Sequence, residues 1–278
     1  MLMFRLLLNR SRLNLTVWFG NGSDLNRCIM FRKQIFNTIL STRQNPLFSM
    51  GVNCLWSPVT SATCTGRHCI NLVRPGFNDL YGGGVTGTTP NAADPTRVAA
   101  GLLFDGVDDL MTGVDATLTT LSVADAASVF CIHTLESVSG GCNSPYITNG
   151  AARLQPAISN AAFTLSARTV GTDSNNTTNI LTTNNVGVCV MWGGVVNYTA
   201  QTLLAYRNGA TNTTYTGTLT AGPTAAGLAT IRTHFGGSPL KGTLYAIGLF
   251  KRALTLAEFA QIAAYYRGQL AQFGVVLP

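Results

Sequence analysis

Gly242-Thr-Leu-Tyr-Ala-Ile-Gly-Leu-Phe-Lys-Arg-Ala-Leu-Thr-Leu-Ala-Glu-Phe259, continuing to Tyr266, reads as one strand, a tight connection and one closing helix. Leu244, Ala246, Gly248 and Phe250 alternate with Tyr245, Ile247 and Leu249. Both faces are therefore apolar, the pattern of a strand covered on both sides. Thr255 precedes Glu258 by three positions, the spacing of a capping box. The hydroxyl accepts from an early helix N–H, and the carboxylate reaches back to the N–H of the cap residue. Leu256, Phe259, Ile262, Ala263 and Tyr266 then follow at helical spacing as one apolar stripe.

The chain preceding this helix is strand-rich. Its 278 residues suffice for one large all-β domain or two small ones. Only 10 % are charged, and Thr, Asn, Gly and Ala fill the small and polar positions, as in short strands joined by turns. Regular strand patterning begins near Gly101. It predicts strands at 101–104, 110–112, 128–135, 146–149, 153–158, 163–169, 187–198, 201–207, 213–218, 228–235 and 242–250. So many short strands separated by turn residues form a sandwich or jelly roll. Residues 51–100 are rich in Gly, Pro, Thr and Asn, and Tyr81-Gly-Gly-Gly-Val-Thr-Gly-Thr-Thr-Pro-Asn reads as loop. No repeat of solenoid period is present.

The net charge of +7 sits at one end. Residues 1–43 hold Arg5, Arg10, Arg12, Arg27, Arg32, Lys33 and Arg43 against Asp24 alone, and the rest is nearly neutral. The expected organisation is a basic docking arm over 1–50, a Gly/Pro/Thr-rich lead-in over 51–100 and the sandwich over 101–278, with a start as early as residue 70. Arg5, Arg10, Arg12, Arg27, Arg32 and Lys33 are the candidate partner-docking residues, making salt-sensitive contacts with an acidic surface. Nucleic acid is disfavoured, because no compact Lys/Arg run is interleaved with aromatics. Arg5, Arg10 and Arg12 also interrupt the opening apolar run, and no small-residue cleavage site follows, so a cleaved signal peptide is not expected. No stretch approaches the ~20 apolar residues of a membrane span.

Seven cysteines in such a chain favour mostly reduced thiols, with Cys131 and Cys189 as small core residues. Cys64 and Cys69, with His68 beside them, are the nearest approach to a metal cluster but contain no C-x2-C pair. A Cys54–Cys64 or a Cys64–Cys69 bridge stays open.

Three segments carry a family resemblance. Leu102-Leu-Phe-Asp-Gly-Val-Asp-Asp-Leu-Met resembles the opening strand of the concanavalin A-like lectin/glucanase superfamily, in its laminin-G-like branch. Ala205-Tyr-Arg-Asn-Gly-Ala resembles that family's hairpin, and Phe235-Gly-Gly with 242–258 resembles its ending. The set is in the right order over about residues 70–272. The resemblance implies an all-β concanavalin A-like jelly roll with a short C-terminal helix behind the basic arm. Similar domains recur in bacteriophage tail and capsid-associated proteins. It thus implies a structural or adhesion component of a virus particle, a phage tail or capsid accessory protein. Such a protein is made in the host cytoplasm, docked by its arm onto other virion proteins, homo-oligomeric, and displayed toward host surface glycans. A free carbohydrate-binding lectin is the first alternative, and a diverged glycan hydrolase the second.

Candidate chemistry is sparse. The superfamily's glucanases carry an E-x-D-x-x-E triad, and retaining hydrolysis needs two carboxylates about 5 Å apart. Only Glu136 and Glu258 are present, in unrelated places, so the expectation is a chain that is not an enzyme. His68, His133 and His234 read as structural residues. Sugar recognition uses an exposed aromatic face beside amides and carboxylates. Tyr81, Trp192, Tyr198, Tyr206 and Tyr215 are the candidates, of which Trp192 also reads as core. No cofactor is expected. Asp105, Asp108, Asp109 and Asp115 are candidate calcium ligands, although Gly106 and Asp105 are accounted for as a turn and no twelve-residue calcium loop exists.

Overall fold

The computed structural model describes residues 8–9, 12–13, 45–75, 79–83, 89–112, 120–122, 126–138, 142–143, 146–149, 152–158, 163–168, 175–180, 186–197, 200, 202–215, 228–232, 234–236 and 240–278. In chain order its strands are β1 (Leu8–Asn9), β2 (Arg12–Leu13), β3 (Cys54–Trp56), β4 (His68–Cys69), β5 (Leu80–Gly82), β6 (Thr96–Arg97) and β7 (Leu102–Asp105). Then come β8 (Leu110–Thr112), β9 (Thr120–Ser122), β10 (Ala126–Val138), β11 (Cys142–Asn143), β12 (Tyr146–Asn149), β13 (Ala152–Ile158) and β14 (Phe163–Arg168). The last are β15 (Asn175–Ile180), β16 (Cys189–Asn197), β17 (Thr202–Arg207), β18 (Ala210–Tyr215), β19 (Leu228–Arg232), β20 (His234–Gly236) and β21 (Leu240–Phe250). A short helix, Pro46–Ser49, and the closing helix, Leu256–Ala271, complete them.

The chain divides into two units, Met1–Asn45 and Pro46–Pro278. In the first, β1 and β2 form an antiparallel hairpin with Leu8 opposite Leu13. Of the arm residues, Arg12 lies in β2, and Arg5, Arg10, Arg27, Arg32 and Lys33 lie outside the described residues.

The second unit is an all-β sandwich with a short C-terminal helix, the fold class expected from the sequence. Its main sheet runs β18-β17-β16-β10-β21-β7-β6, and β3 shares the far edge of β21 with β7. A seven-stranded sheet, β15-β14-β13-β12-β19-β9 with β11 on β13, and a four-stranded sheet, β20-β8-β5-β4, complete the strand set. β13, β14 and β15 lie over β10, β16 and β17.

The main sheet is buried on both faces because its strands alternate between two cores. Ala127, Val129, Cys131, Val190, Trp192, Ile247 and Leu249 face inward with Cys69, Leu80 and Met111 of the four-stranded sheet. Phe130, Ile132, Met191, Val195, Tyr206 and Phe250 face outward, where Phe259, Ile262, Ala263, Tyr266 and Leu270 of the closing helix cover them. Phe130 and Tyr266 are fully buried and tilted against each other, ring centroids 5.8 Å apart. Burying a side chain of this size contributes roughly 1.5–3 kcal/mol.

The closing strand departs from strict alternation at one place. Ala246 opposes Ile132 but Leu244 opposes His133, so Tyr245 is an extra residue, a β-bulge. The bulge turns Leu244 onto the inward face with Ile247 and Leu249, and leaves Tyr245 with Ala246 on the helix side.

The helix is fixed at its start as the spacing predicts. Glu258 N–H donates to Thr255 Oγ1 at 3.2 Å, and Thr255 N–H donates to Glu258 Oε2 at 2.8 Å. Arg252 clamps the same carboxylate through Nη1 at 3.0 Å, and its Nη2 donates to the Met50 carbonyl at 2.7 Å. The buried Ser128 ties strand to helix entry, donating to Arg252 O at 2.7 Å and accepting from Leu254 N–H at 2.9 Å.

Several strand boundaries differ from the sequence expectation for local reasons. Asn208 and Gly209 have φ of 52° and 84°, a two-residue turn, so the return strand begins at Ala210 and not near Thr213. Gly187 has φ of 82° and sits in a turn before β16. The single strand expected over 228–235 is two, β19 and β20, in different sheets. Within 51–100, β3 and β6 join the main sheet while β4 and β5 build the four-stranded one, and Tyr81 and Gly82 are strand, not loop. Cys64 and Cys69 are bridged, and Cys54, Cys131 and Cys189 are buried in the two cores. Burial pushes the Cys189 thiol up to about 12, the inert behaviour expected of a core cysteine. Among the described residues no helix is long and apolar enough to cross a membrane.

Candidate functional site

The outer side of the four-stranded sheet gathers the polar and aromatic groups that are neither core nor cap. Cys69 and Leu80 are buried in the inward core, so the alternation of their two-residue ladder sends His68 and Tyr81 outward. These two are register partners, and their rings stack with centroids 4.6 Å apart and planes 10° apart. His68 Nε2 lies 2.9 Å from Asp79 Oδ2; the imidazole side chain is 35 % exposed and the carboxylate only 4 %. The other Asp79 oxygen accepts from Asn71 N–H at 2.8 Å. Asn71 is itself buried, its Oδ1 accepting from Leu55 N–H at 3.1 Å and Val73 N–H at 3.2 Å. A chain of fixed groups thus runs from β3 through Asn71 and Asp79 to His68.

The loop below this pair is closed by the Cys64–Cys69 bridge. Within it Thr65 N–H donates to His68 O at 2.7 Å, and His68 N–H donates to Thr65 Oγ1 at 3.0 Å. Arg67 Nη1 donates to Gly82 O at 2.7 Å and to Asp94 Oδ1 at 3.0 Å. A Cβ on Gly82 would lie 2.3 Å from the Gly66 carbonyl oxygen, besides 2.2 Å from Asp94 Oδ1, so the backbone approach confines the residue after Tyr81 to glycine.

At the mouth of β8 stands the acidic turn. Asp105 Oδ1 accepts from Val107 N–H at 2.7 Å, Asp109 Oδ2 accepts from Asp105 N–H at 2.7 Å, and Gly106 has φ of 83°. Asp105, Asp108 and Asp109 each bring a carboxylate oxygen within 4.8 Å of the others, a spacing that a hard cation can bridge. Burial raises the Asp109 carboxyl above its ordinary value, and the neighbouring charges of Asp105, Asp108 and Asp94 add to this. Asp115 lies outside the described residues.

Among the aromatic candidates whose side chains are described, Tyr81 is half-buried while Trp192 and Tyr206 are buried. Trp192 is 3 % exposed, in one cross-sheet row with Cys131, and the Arg207 guanidinium carbon lies 5.2 Å from its ring centroid. Tyr206 is also 3 % exposed and stacks on Phe259 at 4.4 Å. Both are corrected from platform to core, because their alternation in β16 and β17 turns them into the two buried faces. Tyr198 lies outside the described residues, and Tyr215 lies in β18 with its side chain outside them.

Sequence reasoning missed the His68–Asp79 pair, whose partners are eleven positions apart and share no local motif. It placed His133 as structural, and the ring is fully enclosed. Its Nδ1 lies 3.7 Å from Cys131 Sγ, its Nε2 has no partner, and burial lowers its pKa to about 4.

Comparison with known proteins gives fold likeness alone. No protein-family model matches the chain, and no curated protein matches it by sequence. Among solved structures it is similar to the sialidase of Trypanosoma rangeli, with a TM-score of 0.54 and 14 % identity over 79 % of this chain and 33 % of that one. A mutant of that sialidase displaying trans-sialidase activity gives 0.52 and 13 % over 78 % and 33 %. The sialidase in complex with the inhibitor DANA gives 0.51 and 16 % over 77 % and 32 %. The chain therefore spans about a third of the length of these proteins. They corroborate the β-sandwich fold. They also correct the expectation that the chain is not an enzyme: the structures it resembles are sialidases, matched over about a third of their length. That expectation rested on a missing glutamate pair.

Proposed function

We propose that the sandwich is a carbohydrate-recognising body that meets sugar on the outer side of its four-stranded sheet. The observation that carries this is the half-exposed Tyr81 ring, held flat against a histidine whose far nitrogen is anchored on a buried carboxylate. A sugar ring needs an apolar face to lie on and fixed polar groups for its hydroxyls, and this arrangement supplies both. The fold shared with sialidases supports the reading. Because the chain spans a third of those enzymes, hydrolysis is to be measured beside binding.

The test is a glycan array probed with the full chain in calcium and in chelator, alongside an assay for released sugar. Specific binding is the expected result, and a blank array from folded protein overturns the reading. Loss of binding on chelation would assign a cation to Asp105, Asp108 and Asp109. The virion setting and the anchoring arm rest on the family resemblance. For these the expected result is a fixed copy number in purified particles, abolished by deleting residues 1–43.

A further inference from the structure

A single covalent cross-link stands at the edge of the four-stranded sheet. Cys64 and Cys69 are five positions apart, joined by a disulfide, and 0 % and 1 % exposed in the inward core. The loop between them is a junction. Arg67 O accepts from Gly82 N–H at 2.9 Å, and Arg67 Nη1 donates to Asp94 Oδ1 at 3.0 Å. Gly66 lies so near the neighbouring backbone that a Cβ there would sit 1.5 Å from Pro95 O. His68 meets Asp79, whose other oxygen holds Asn71 N–H. The loop thereby links β4 to β5, to the backbone at 94–95 and, through Asn71, to β3.

Little else holds this edge. β4 and β5 are two and three residues long, and β4 ends the sheet. Cys69 and Leu80 supply their enclosed apolar side chains, and the outward core beneath the closing helix contains neither Cys64 nor Cys69. Short elements with few buried contacts open locally at less cost than the whole sandwich unfolds. A disulfide closing so short a loop restricts the open form through its chain entropy, by about thirty-fold in population. Burial adds a barrier of access. A thiolate must reach a bridge sulfur to react, and both cysteines are covered until the edge opens.

We infer that the Cys64–Cys69 bridge is a redox latch on the four-stranded sheet. Closed, it is sheltered from thiols. A dithiol reductant meets it in the open form, where its thiolate attacks one bridge sulfur and the other cysteine leaves as a thiolate and takes a proton. The reductant's second thiol then displaces the remaining cysteine. The bridge gains two electrons and two protons, and the dithiol becomes a cyclic disulfide. Without the bridge, the 64–69 loop, β4 and β5 open about thirty-fold more often while the main sheet and closing helix stay in place.

The experiment follows amide hydrogen exchange of the full chain in low urea, oxidised and after dithiothreitol. The latch reporters are Gly82 N–H and Thr65 N–H, which donates to His68 O at 2.7 Å. The reference is Asn208 N–H, which donates to Met191 O at 2.8 Å in the main sheet. The expected result is exchange at Gly82 and Thr65 that hardly responds to urea, the mark of a small opening, and quickens about thirty-fold on reduction. Asn208 should stay better protected and respond steeply to urea in both states. Cys64→Ser/Cys69→Ser should show the fast pattern without reductant and no further change with it, which separates this bridge from every other thiol. Native reduction, counted by alkylation and mass, should run on the order of a hundred-fold slower than in the urea-unfolded chain. Unchanged exchange at Gly82 and Thr65, or a urea response there as steep as at Asn208, overturns the latch. So does a chain that unfolds altogether on reduction. Reduction as fast in the native chain as in urea overturns the shelter on which the latch depends.

Discussion

His133 offers the sharpest quantitative test of the core. It is 1 % exposed, its Nε2 has no hydrogen-bond partner, and burial holds its pKa at about 4 against an ordinary 6.5. A neutral imidazole in the native state and a chargeable one in the unfolded state make the unfolded chain bind more protons between these values. Stability is therefore complete above pH 6.5 and declines as pH falls toward 4. At 1.36 kcal/mol per pKa unit the decline amounts to about 3 kcal/mol. His133→Leu, of similar bulk, removes both the titration and the orphaned nitrogen, whose burial costs about 1–3 kcal/mol. The variant should be more stable than the parent at pH 7.5 and should lose much less on going to pH 4.5. Urea unfolding followed by tryptophan fluorescence is suited to this, since Trp56 and Trp192 are buried at 0 % and 3 % exposure. Parallel pH profiles for parent and variant would refute the reasoning and imply that His133 finds a partner.

Three further outcomes follow from named contacts. Glu258→Gln loses the charge clamped by Arg252 and weakens the capping box, so chemical denaturation should show a loss of about 0.5–2 kcal/mol. Hydrogen bonding from Arg252 chiefly, with Thr255 helping, holds the Glu258 carboxyl at about 2 against 4.5, so its contribution is present above pH 4.5 and fades as pH falls toward 2. A matching acid loss should be absent from the Gln variant. Gly193→Ala places a Cβ 2.2 Å from Phe259 Cε1 and should cost about 1–3 kcal/mol, read as a lowered unfolding midpoint. Replacing Cys64 and Cys69 by serine opens a loop of five-residue separation and should cost about 2 kcal/mol on chain-entropy grounds, with reduced parent protein giving a similar loss.

The parts legible in the sequence were those specified by neighbours in the chain. The capping box, the apolar helix stripe and the Asn208-Gly209 turn all involve groups within four residues of one another. Tyr245 was misplaced in the alternation because the bulge is defined by its partner strand β10, far away in sequence. β4, β5 and β6 are two or three residues long, too short for a period to emerge, and are strands only because a distant edge receives them. The aromatic candidates could not be ranked for the same reason. Trp192 and Tyr81 sit in similar local sequence, and only the two cores show that one is enclosed and the other turned outward. His68 gains its polar anchor from a carboxylate beyond the disulfide loop, a relation that exists only once the sheet has formed.

The shared edge of β21 sets an order of events during synthesis. Leu240–Phe250 pairs with β10 along one side and with both β7 and β3 along the other, so strands made earlier in translation wait for one made more than a hundred residues later. At ordinary elongation rates that delay is on the order of ten seconds after β10 emerges. Throughout it the apolar edges of β3, β7 and β10 are open to intermolecular pairing. A ribosome stalling before residue 240 would release a chain with its central seam unfilled, an aggregation-prone product rather than a smaller folded one. Heterologous yield should accordingly depend on slowed growth or chaperone supply more than on the stability of the finished protein.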